Sequence, residues 1–347
     1  MVFFHQSKLY ITILFLLLVT SCEKEIGEFT EQEAPRLVVN ALITAQQENQ
    51  LMAISTTYLK QATPLPGADV TLSVNGQSIL QYRTTGEGRY IAVPTEQFNP
   101  GDIVSVHVQK DDMVASASST VPFPVAITGI DTLMVKAKRY KWSSDYSWHT
   151  RYLLHLRLAD NIADNETCYF RAEVHKRMIY PHSVHYSPEG VLSQVTYTED
   201  DDHTFFGYWN DPALTETENA DQENMSVSFD WLDGIENVYH TFRSSYFKDR
   251  EYTLHLDLTH PHLAASFTDR WGWAQDVTIR IYAISRTEYN YLQALAALKT
   301  LDTGTIYDSE PGVTTNVEGG AGIFCVESVS EVSFYEDHDL IRMPSAE

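Results

Sequence analysis

Apolar and polar residues alternate along short runs through most of this chain, and a period of two is the pattern of half-buried β-strands. In the run DVTLSV at 69–74, the three apolar side chains share one face. Asn75-Gly76 follows directly, and because both residues tolerate positive φ the pair predicts a two-residue hairpin turn. Further short runs, separated by turns that contain glycine or proline, continue the pattern. They predict a mainly β fold that begins with an immunoglobulin-like β-sandwich over residues 35–121.

A stiff connector separates this predicted sandwich from a second region. The segment Val121-Pro122-Phe123-Pro124-Val125 holds two prolines, whose fixed φ favours an extended backbone, so the domain boundary is predicted here. Alternating runs return at 151–159, 167–175, 251–258 and 277–284. They predict a larger antiparallel β-domain over residues 125–340, in which one face of each sheet is exposed to water.

One α-helix is predicted within the larger domain, over about residues 286–300. Ser285 and Glu288 have the spacing of a capping box, in which the serine hydroxyl accepts a hydrogen bond from a free backbone amide and the glutamate carboxylate reaches back to the cap. The apolar residues that share one face of this helix, and are predicted to pack on a sheet, are Tyr291, Leu292, Leu295 and Leu298.

The amino terminus has the pattern of an export signal. Residues 9–19 form an apolar run that is too short to span a bilayer but has the length of a signal-peptide core. The run ends in Val19-Thr20-Ser21-Cys22, which resembles a bacterial lipobox. Residues 1–21 are therefore predicted to be a lipoprotein signal peptide, with Cys22 as the lipidated first residue of the mature chain. The alternative is an ordinary secretory signal near an unrelated cysteine. Acyl chains such as palmitate on Cys22 would anchor the protein to a membrane without spanning it.

An acidic segment follows this lipidation site. Residues 22–34 are predicted to be a tether, and its start, Glu23-Lys24-Glu25, is similar to the signal that marks lipoproteins of Bacteroidetes for export to the outer face of the outer membrane. The alternative is a solvated linker with no such role. The whole chain has a formal net charge of −23, which disfavours nonspecific binding to nucleic acid. The predicted location is the outer membrane, lipid-anchored and facing the cell exterior.

A polar, acidic insert is predicted over about residues 198–224. Its acidic run, Glu199 to Asp202, lacks the alternating acids and central glycine of a calcium loop, so a solvated loop is favoured over a calcium site. Aromatic residues lie beside this run. Flat rings in a loop suit packing against a sugar or a peptide, although they equally suit a core between sheets. These candidate ligand contacts are Phe205, Phe206, Tyr208 and Trp209.

No sequence motif identifies a catalytic or metal site. The chain has no G-x-S-x-G nucleophile motif. Two histidine pairs lack the helical spacing and the glutamate of a zinc motif; they are His182 with His185 and His260 with His262. We therefore predict no catalytic residue, no metal and no cofactor. Whether Cys168 and Cys325 pair is left open, because a disulfide requires Cα atoms within about 7 Å of each other.

Five segments, in order along the chain, resemble the DUF4249 lipoproteins of Bacteroidetes. They are the lipobox with Glu23-Lys24, PRLVVN at 35–40, PGADVTL at 66–72, YFKDREYTL at 246–254 and NVEGGAGIF at 316–324. Together they extend over about residues 20–330. In the last segment, Gly319, Gly320 and Gly322 suit a tight corner or a close approach to a neighbouring strand, because glycine permits positive φ and has no side chain.

The resemblance implies a role without specifying a reaction. Members of this family are commonly associated with TonB-dependent outer-membrane transporters. The resemblance therefore implies a non-catalytic surface lipoprotein that assists such a transporter in nutrient capture or uptake. The implied partners are the membrane, through the lipid anchor, a TonB-dependent transporter, and a glycan or peptide ligand, with no nucleic acid. The alternatives are a cell-surface hydrolase acting on a glycan or peptide, and an adhesin or spacer module.

Overall fold

The computed structural model has a mainly β architecture, as predicted. It describes residues 35–47, 50–58, 61–92, 97–138, 146–163, 165–189, 192–202, 211–215, 237–258, 273–301 and 314–338. The strands are β1 Arg36–Thr44, β2 Gln50–Tyr58, β3 Gln61–Pro64, β4 Asp69–Val74, β5 Gln77–Gln81, β6 Arg83–Gly86, β7 Arg89–Ala92, β8 Ile103–Lys110, β9 Met113–Thr120, β10 Ala126–Lys138, β11 Tyr146–Arg157, β12 Tyr169–Tyr186, β13 Leu192–Asp202, β14 Thr241–Arg243, β15 Glu251–Leu258, β16 Trp273–Ile284 and β17 Gly320–His338. The helices are α1 Pro212–Thr215 and α2 Arg286–Leu301, with a 3₁₀ turn at Ser244–Tyr246.

The predicted N-terminal β-sandwich is confirmed. One of its sheets has the strand order β5-β4-β8-β9, and it packs on the part of a longer sheet that runs β17-β1-β2-β7-β6. The core between them contains Leu72, Tyr90 and Val106, all fully buried. The Tyr90 hydroxyl accepts a hydrogen bond from the Ala68 amide at 2.8 Å and donates one to the Leu65 carbonyl oxygen at 2.7 Å. The polar end of this large buried ring is therefore satisfied.

A ten-stranded sheet runs through both halves of the protein. Its order is β13-β12-β16-β17-β1-β2-β7-β6, with β14 beside β12 and β3 beside β2. The 19-residue strand β17 changes partner along its length. Residues 320–327 pair in parallel with β1, whereas 328–338 pair antiparallel with β16. The C-terminal strand thereby contributes Phe324 and Val326 to the N-terminal core. The division of the chain into domains at 121–125 stays a prediction.

A second sandwich uses the other half of the long sheet. The sheet β10-β11-β15 faces β12, β16 and β17. The core between them contains Tyr152, Phe170 and Leu254, each fully buried. The rings of Phe170 and Phe242 pack with their centroids 5.2 Å apart. Aromatic side chains bury large apolar areas and so contribute strongly to the core between the two sheets.

The predicted helix is confirmed as α2, and Ser285 caps it. The Ser285 hydroxyl accepts a hydrogen bond from the Glu288 backbone amide at 3.1 Å. The other half of the predicted capping box is wrong, because the Glu288 carboxyl is fully buried and makes no hydrogen bond to the cap. The four-residue helix α1 was not predicted, since it lies within the stretch interpreted as an acidic insert.

The buried face of α2 is rotated from the predicted one. Leu292 is buried as predicted, whereas Leu295 and Leu298 are only half-buried. Leu292 is joined in the buried row by Glu288 and Ala296, at the four-residue spacing that places side chains above one another on a helix. The helix face that meets the sheet therefore contains Glu288, which was not among the residues of the predicted face. Among the helices that the structure describes, none is long and apolar enough to cross a membrane.

The start of the acidic insert is a strand and not the predicted solvated loop. β13 pairs with β12 so that Asp201 lies opposite Arg177 and Asp202 lies opposite Lys176. The acids at the start of the insert therefore belong to the paired part of a strand.

The glycine-rich segment at the start of β17 forms a close backbone contact, as predicted. Gly319 and Gly322 have φ values of +72° and +98°, a region that favours glycine. A Cβ atom at Gly320 would lie 2.5 Å from the Leu37 carbonyl oxygen, and one at Gly322 would lie 2.2 Å from the Val39 carbonyl oxygen. Only residues without a side chain allow β17 to enter beside β1 at this distance.

Candidate functional site

The predicted lipidation site and the candidate ligand contacts lie outside the described residues. The lipidation site is Cys22. The aromatic set is Phe205, Phe206, Tyr208 and Trp209. Both therefore stay predictions, as does any role of His260 and His262. In the described part of the chain, no group of three or more His, Cys, Asp or Glu side chains could hold a metal ion.

Cys168 and Cys325 are both free, so the disulfide left open by the sequence does not form. Cys168 packs against the second core, and its backbone amide donates to the Ser244 hydroxyl at 2.9 Å. Burial, assisted by the charge of Glu166, raises the pKa of the Cys168 thiol to about 11. Burial, assisted by the charge of Glu288, raises the pKa of the Cys325 thiol to about 12. Both thiols therefore keep their protons at neutral pH and are weak nucleophiles.

An open cleft of about 450 Å³ lies beyond the end of β11, where the segment after that strand meets the turn before β15. Its apolar wall consists of Leu158, Ala163 and Phe247, and two exposed carboxylates, Glu166 and Asp249, line it as well. Four of its seven lining residues are polar or charged, so the cleft is more polar than a typical small-ligand site.

The turn before β15 has an unusual backbone. Lys248 and Glu251 exchange two backbone hydrogen bonds, each 2.9 Å long. Between them, Asp249 and Arg250 have φ values of 50° and 69°. Positive φ at both central residues is the conformation of a type I′ hairpin turn, for which glycine is the preferred residue. The Asp-Arg pair therefore carries no turn signal that sequence analysis could detect.

The Arg250 side chain ties this turn to the segment after β11. Its guanidinium donates from Nη1 to the Ile162 carbonyl oxygen at 3.0 Å and from Nη2 to the Ala159 carbonyl oxygen. The Leu158 amide donates in return to the Arg250 carbonyl oxygen at 2.9 Å. A planar guanidinium can bond two acceptors at once. Arg250 therefore fixes the relative position of the two walls of the cleft.

Replacing Arg250 by lysine is expected to destabilise the protein by about 1–3 kcal/mol, because two carbonyl oxygens lose their donors and an ammonium group cannot replace the fork. Arg157→Lys is the matched control, since Arg157 is exposed and its guanidinium pairs with Asp160 on the surface; its effect should stay within about 0.5 kcal/mol. Urea unfolding measures both. Equal losses in the two variants would contradict this role for Arg250.

A second group of polar side chains is buried where α2 rests on β12 and β17. Glu288 of α2 is 0% exposed and Glu327 of β17 is 3% exposed. Arg171 of β12 donates from Nη2 to Glu327 Oε1 at 2.9 Å. The same guanidinium stacks over the Tyr282 ring, 4.1 Å from its centroid, a favourable cation–π contact. Three neighbouring elements thus meet at one buried ionic cluster.

The charges in this cluster shift one another's proton affinities. Burial, and next the charge of Glu327, raise the pKa of Glu288 well above its ordinary value of 4.5, against the opposing effect of Arg171. Burial alone would lower the pKa of Arg171, but its ion pair with Glu327 outweighs burial and raises that pKa. Burial, and next the charge of Arg171, lower the pKa of His240 to about 4. At neutral pH Arg171 is therefore charged and His240 is neutral.

A further buried acid, Asp211, joins α1 to β15. Its carboxylate accepts hydrogen bonds from the Ala213 amide at 2.9 Å, the His255 amide at 2.9 Å and the Tyr252 hydroxyl. A carboxylate with three donors is well satisfied although it is buried. Asp211 therefore serves as the cap that docks α1 on the second sandwich.

Most of these residues carry no recognisable signal in the sequence. The capping-box spacing identified Glu288 but assigned it the wrong contact. Arg171 and Glu327 occupy alternating positions in ordinary strands, so nothing in their sequence context marks them. Arg250 lies within the segment YFKDREYTL, whose only signal was its resemblance to a family. The cleft beside Arg250 is open to solvent.

The family described as "Domain of unknown function (DUF4249)" matches residues 23–333. The matched range includes the Arg250 turn, the buried ionic cluster and the glycine-rich start of β17. No curated protein matches the chain at a significant level.

Proposed function

Because the chain belongs to the DUF4249 family, we propose that it is a lipid-anchored, non-catalytic protein on the outer face of a bacterial outer membrane, where it assists a TonB-dependent transporter in nutrient capture or uptake. The observation that carries the proposal is the lipobox that ends in Cys22 after an apolar run of signal-peptide length. The family match begins at Glu23, directly after this cysteine.

The predicted tether is long enough for the folded part of the protein to reach a neighbouring protein in the membrane. Thirteen residues separate Cys22 from Arg36, the first residue of β1. At about 3.3–3.6 Å per residue, this segment extends to at most roughly 50 Å. The body can therefore stay attached to lipid and still contact the external mouth of a transporter beside it.

Replacing Cys22 by alanine is expected to abolish lipidation and release the protein, because acyl chains contribute about 0.8 kcal/mol of membrane binding for each buried CH₂ group. Labelled palmitate should appear on the wild type and on a Cys168→Ala control, which loses a free thiol. Only Cys22→Ala should lack the label and leave the membrane fraction. Label on Cys22→Ala, or unchanged membrane attachment, would refute the proposed anchor.

The transporter role is tested separately, by affinity purification of the tagged wild type from detergent-solubilised membranes. A TonB-dependent barrel protein should co-purify with the wild type and be identified by mass spectrometry. Recovery of a lipidated but free monomer would refute the transporter role and leave the anchor standing. External protease added to intact cells should cleave the protein if it faces the exterior.

A surface hydrolase is the second candidate, and one observation favours it: Glu166 and Asp249 line the same open cleft. Paired carboxylates are the catalytic groups of glycoside hydrolases. Hydrolysis of a glycan or peptide by the purified protein, lost in both Glu166→Gln and Asp249→Asn, would establish this alternative. If the purified protein hydrolyses no glycan or peptide, and if no barrel protein co-purifies with it, a role as an adhesin or spacer is favoured.

A further inference from the structure

The buried ionic cluster beneath α2 contains more acid than base. The Arg171 guanidinium bonds Glu327 at 2.9 Å and Glu173, at the more exposed side of the cluster, at 3.4 Å. The two Glu288 carboxyl oxygens are buried and receive no N–H donor from the described residues. One guanidinium therefore faces two fully buried carboxyl groups, of which it compensates only Glu327.

This arrangement requires a proton. An ionised carboxylate that is buried without a donor or a cation is very costly, and such a group takes up a proton instead. Two carboxyl groups can hydrogen-bond to each other only when one of them is protonated. Arg171 bonds Glu327 and not Glu288, so Glu288 is the group that carries the proton and directs it toward Glu327.

We propose that Glu288 and Glu327 form a proton-dependent latch that holds α2 on the sheet of β12, β16 and β17. With the proton in place, the cluster is neutral and the helix is seated. When Glu288 releases its proton to solvent, two buried carboxylates face one guanidinium, and repulsion loosens the first turn of α2. The inference concerns the fold and does not depend on the lipid anchor or on a transporter.

Other titratable and charged groups surround the latch. Burial raises the pKa of Cys325 and of Tyr282, both to about 12. His240 keeps a pKa of about 4. The remaining charged groups that face the cluster are Arg171, Glu173 and Glu327, with Arg243 over the Tyr289 ring at 5.9 Å. Between about pH 5 and about pH 9, His240, Tyr282 and Cys325 therefore stay uncharged.

The sign of the expected pH dependence follows from linkage. In the folded protein the pKa of Glu288 lies above its ordinary value of 4.5. Above about pH 4.5 the unfolded chain has lost this proton while the folded protein retains it, so stability falls as pH rises. The folding equilibrium constant falls roughly tenfold for each pH unit. This fall ends once the pH passes the folded-state pKa of Glu288.

The test compares urea unfolding of the wild type and Glu288→Gln across the range from about pH 5 to about pH 9. Glutamine has the shape of the protonated acid and cannot ionise, so the variant should lose this pH dependence. The ratio of the two folding constants should change by up to tenfold per pH unit in favour of Glu288→Gln as pH rises. Glu331→Gln is the control, because Glu331 of β17 makes a more exposed pair with Arg280 of β16.

A second measurement locates the effect and needs no unfolding. Amide hydrogen exchange compared at equal pH should show less protection of α2 in the wild type than in Glu288→Gln at the alkaline end, and equal protection at the acid end. Infrared spectra of the wild type at neutral pH should show the carbonyl stretch of a protonated carboxylic acid, and this band disappears in Glu288→Gln. Parallel pH profiles in the wild type and Glu288→Gln, or no such band at neutral pH, would overturn the latch. If Glu288→Gln fails to fold, loss of the band from the wild type on alkaline titration remains the deciding result.

Discussion

Replacing Gly322 by alanine is expected to destabilise the protein by about 4 kcal/mol, because two separate costs add at this position. The backbone has φ +98°, which a residue with a Cβ adopts at a cost of about 1–2 kcal/mol. The new Cβ would also lie 2.2 Å from the Val39 carbonyl oxygen and 2.8 Å from the Asn40 side-chain oxygen. Relief of this overlap requires β17 to move away from β1, which breaks their parallel pairing.

Gly76→Ala separates the two costs. Gly76 has φ +81°, and an added Cβ there would meet no atom within 4 Å. This control should lose only the conformational part, about 1–2 kcal/mol. Urea unfolding of both variants measures the difference. A Gly322→Ala variant no less stable than Gly76→Ala would show that β1 and β17 do not approach each other as closely as described.

Replacing Arg171 by methionine is expected to destabilise the protein by about 3–5 kcal/mol at neutral pH, because the change leaves Glu327 buried without its cation. The loss should shrink in acid, since protonation of Glu327 then removes the uncompensated charge. The double variant Arg171→Met, Glu327→Met should recover much of the stability, because a buried ion pair can be replaced by apolar side chains of similar volume.

The matched control is Arg177→Met on the same strand. Arg177 pairs with Asp276, and their side chains are 50% and 39% exposed, so removal of this pair should cost less than about 1 kcal/mol. Thermal and urea unfolding at neutral and acid pH measure all of these variants. If Arg171→Met were as mild as Arg177→Met, or if its effect did not depend on pH, the account of the buried cluster would be wrong.

Local features of the fold were predictable from the sequence. Asn75-Gly76 forms the β4–β5 turn with positive φ at both residues, because the preference for that turn is a property of two adjacent residues. The alternating run 251–258 coincides with β15. Helix α2 begins directly after Ser285, since a cap needs only a hydroxyl next to a helical sequence. Each of these signals acts over a few residues.

The features that were missed depend on contacts between distant parts of the chain. The acidic run became part of β13 through its pairing with β12, which the run itself does not reveal. The buried cluster forms only where β12, α2 and β17 meet. The sequence around Arg171 and around Glu327 contains no recognisable motif spacing. The Arg250 turn forms without glycine because its guanidinium is held by carbonyl groups of another segment.

The long strand β17 also governs when the protein can fold during its biogenesis. β1 lies between β2 and β17, so until the last part of the chain arrives, the N-terminal half has an open edge beside Leu37 to Thr44 and lacks Phe324 and Val326 from its core. Pairing of residues so far apart in sequence is slow. A chain synthesised from its amino terminus therefore completes its first sandwich only after residues 320–327 have been made. The last of the described strands thus closes the first sandwich.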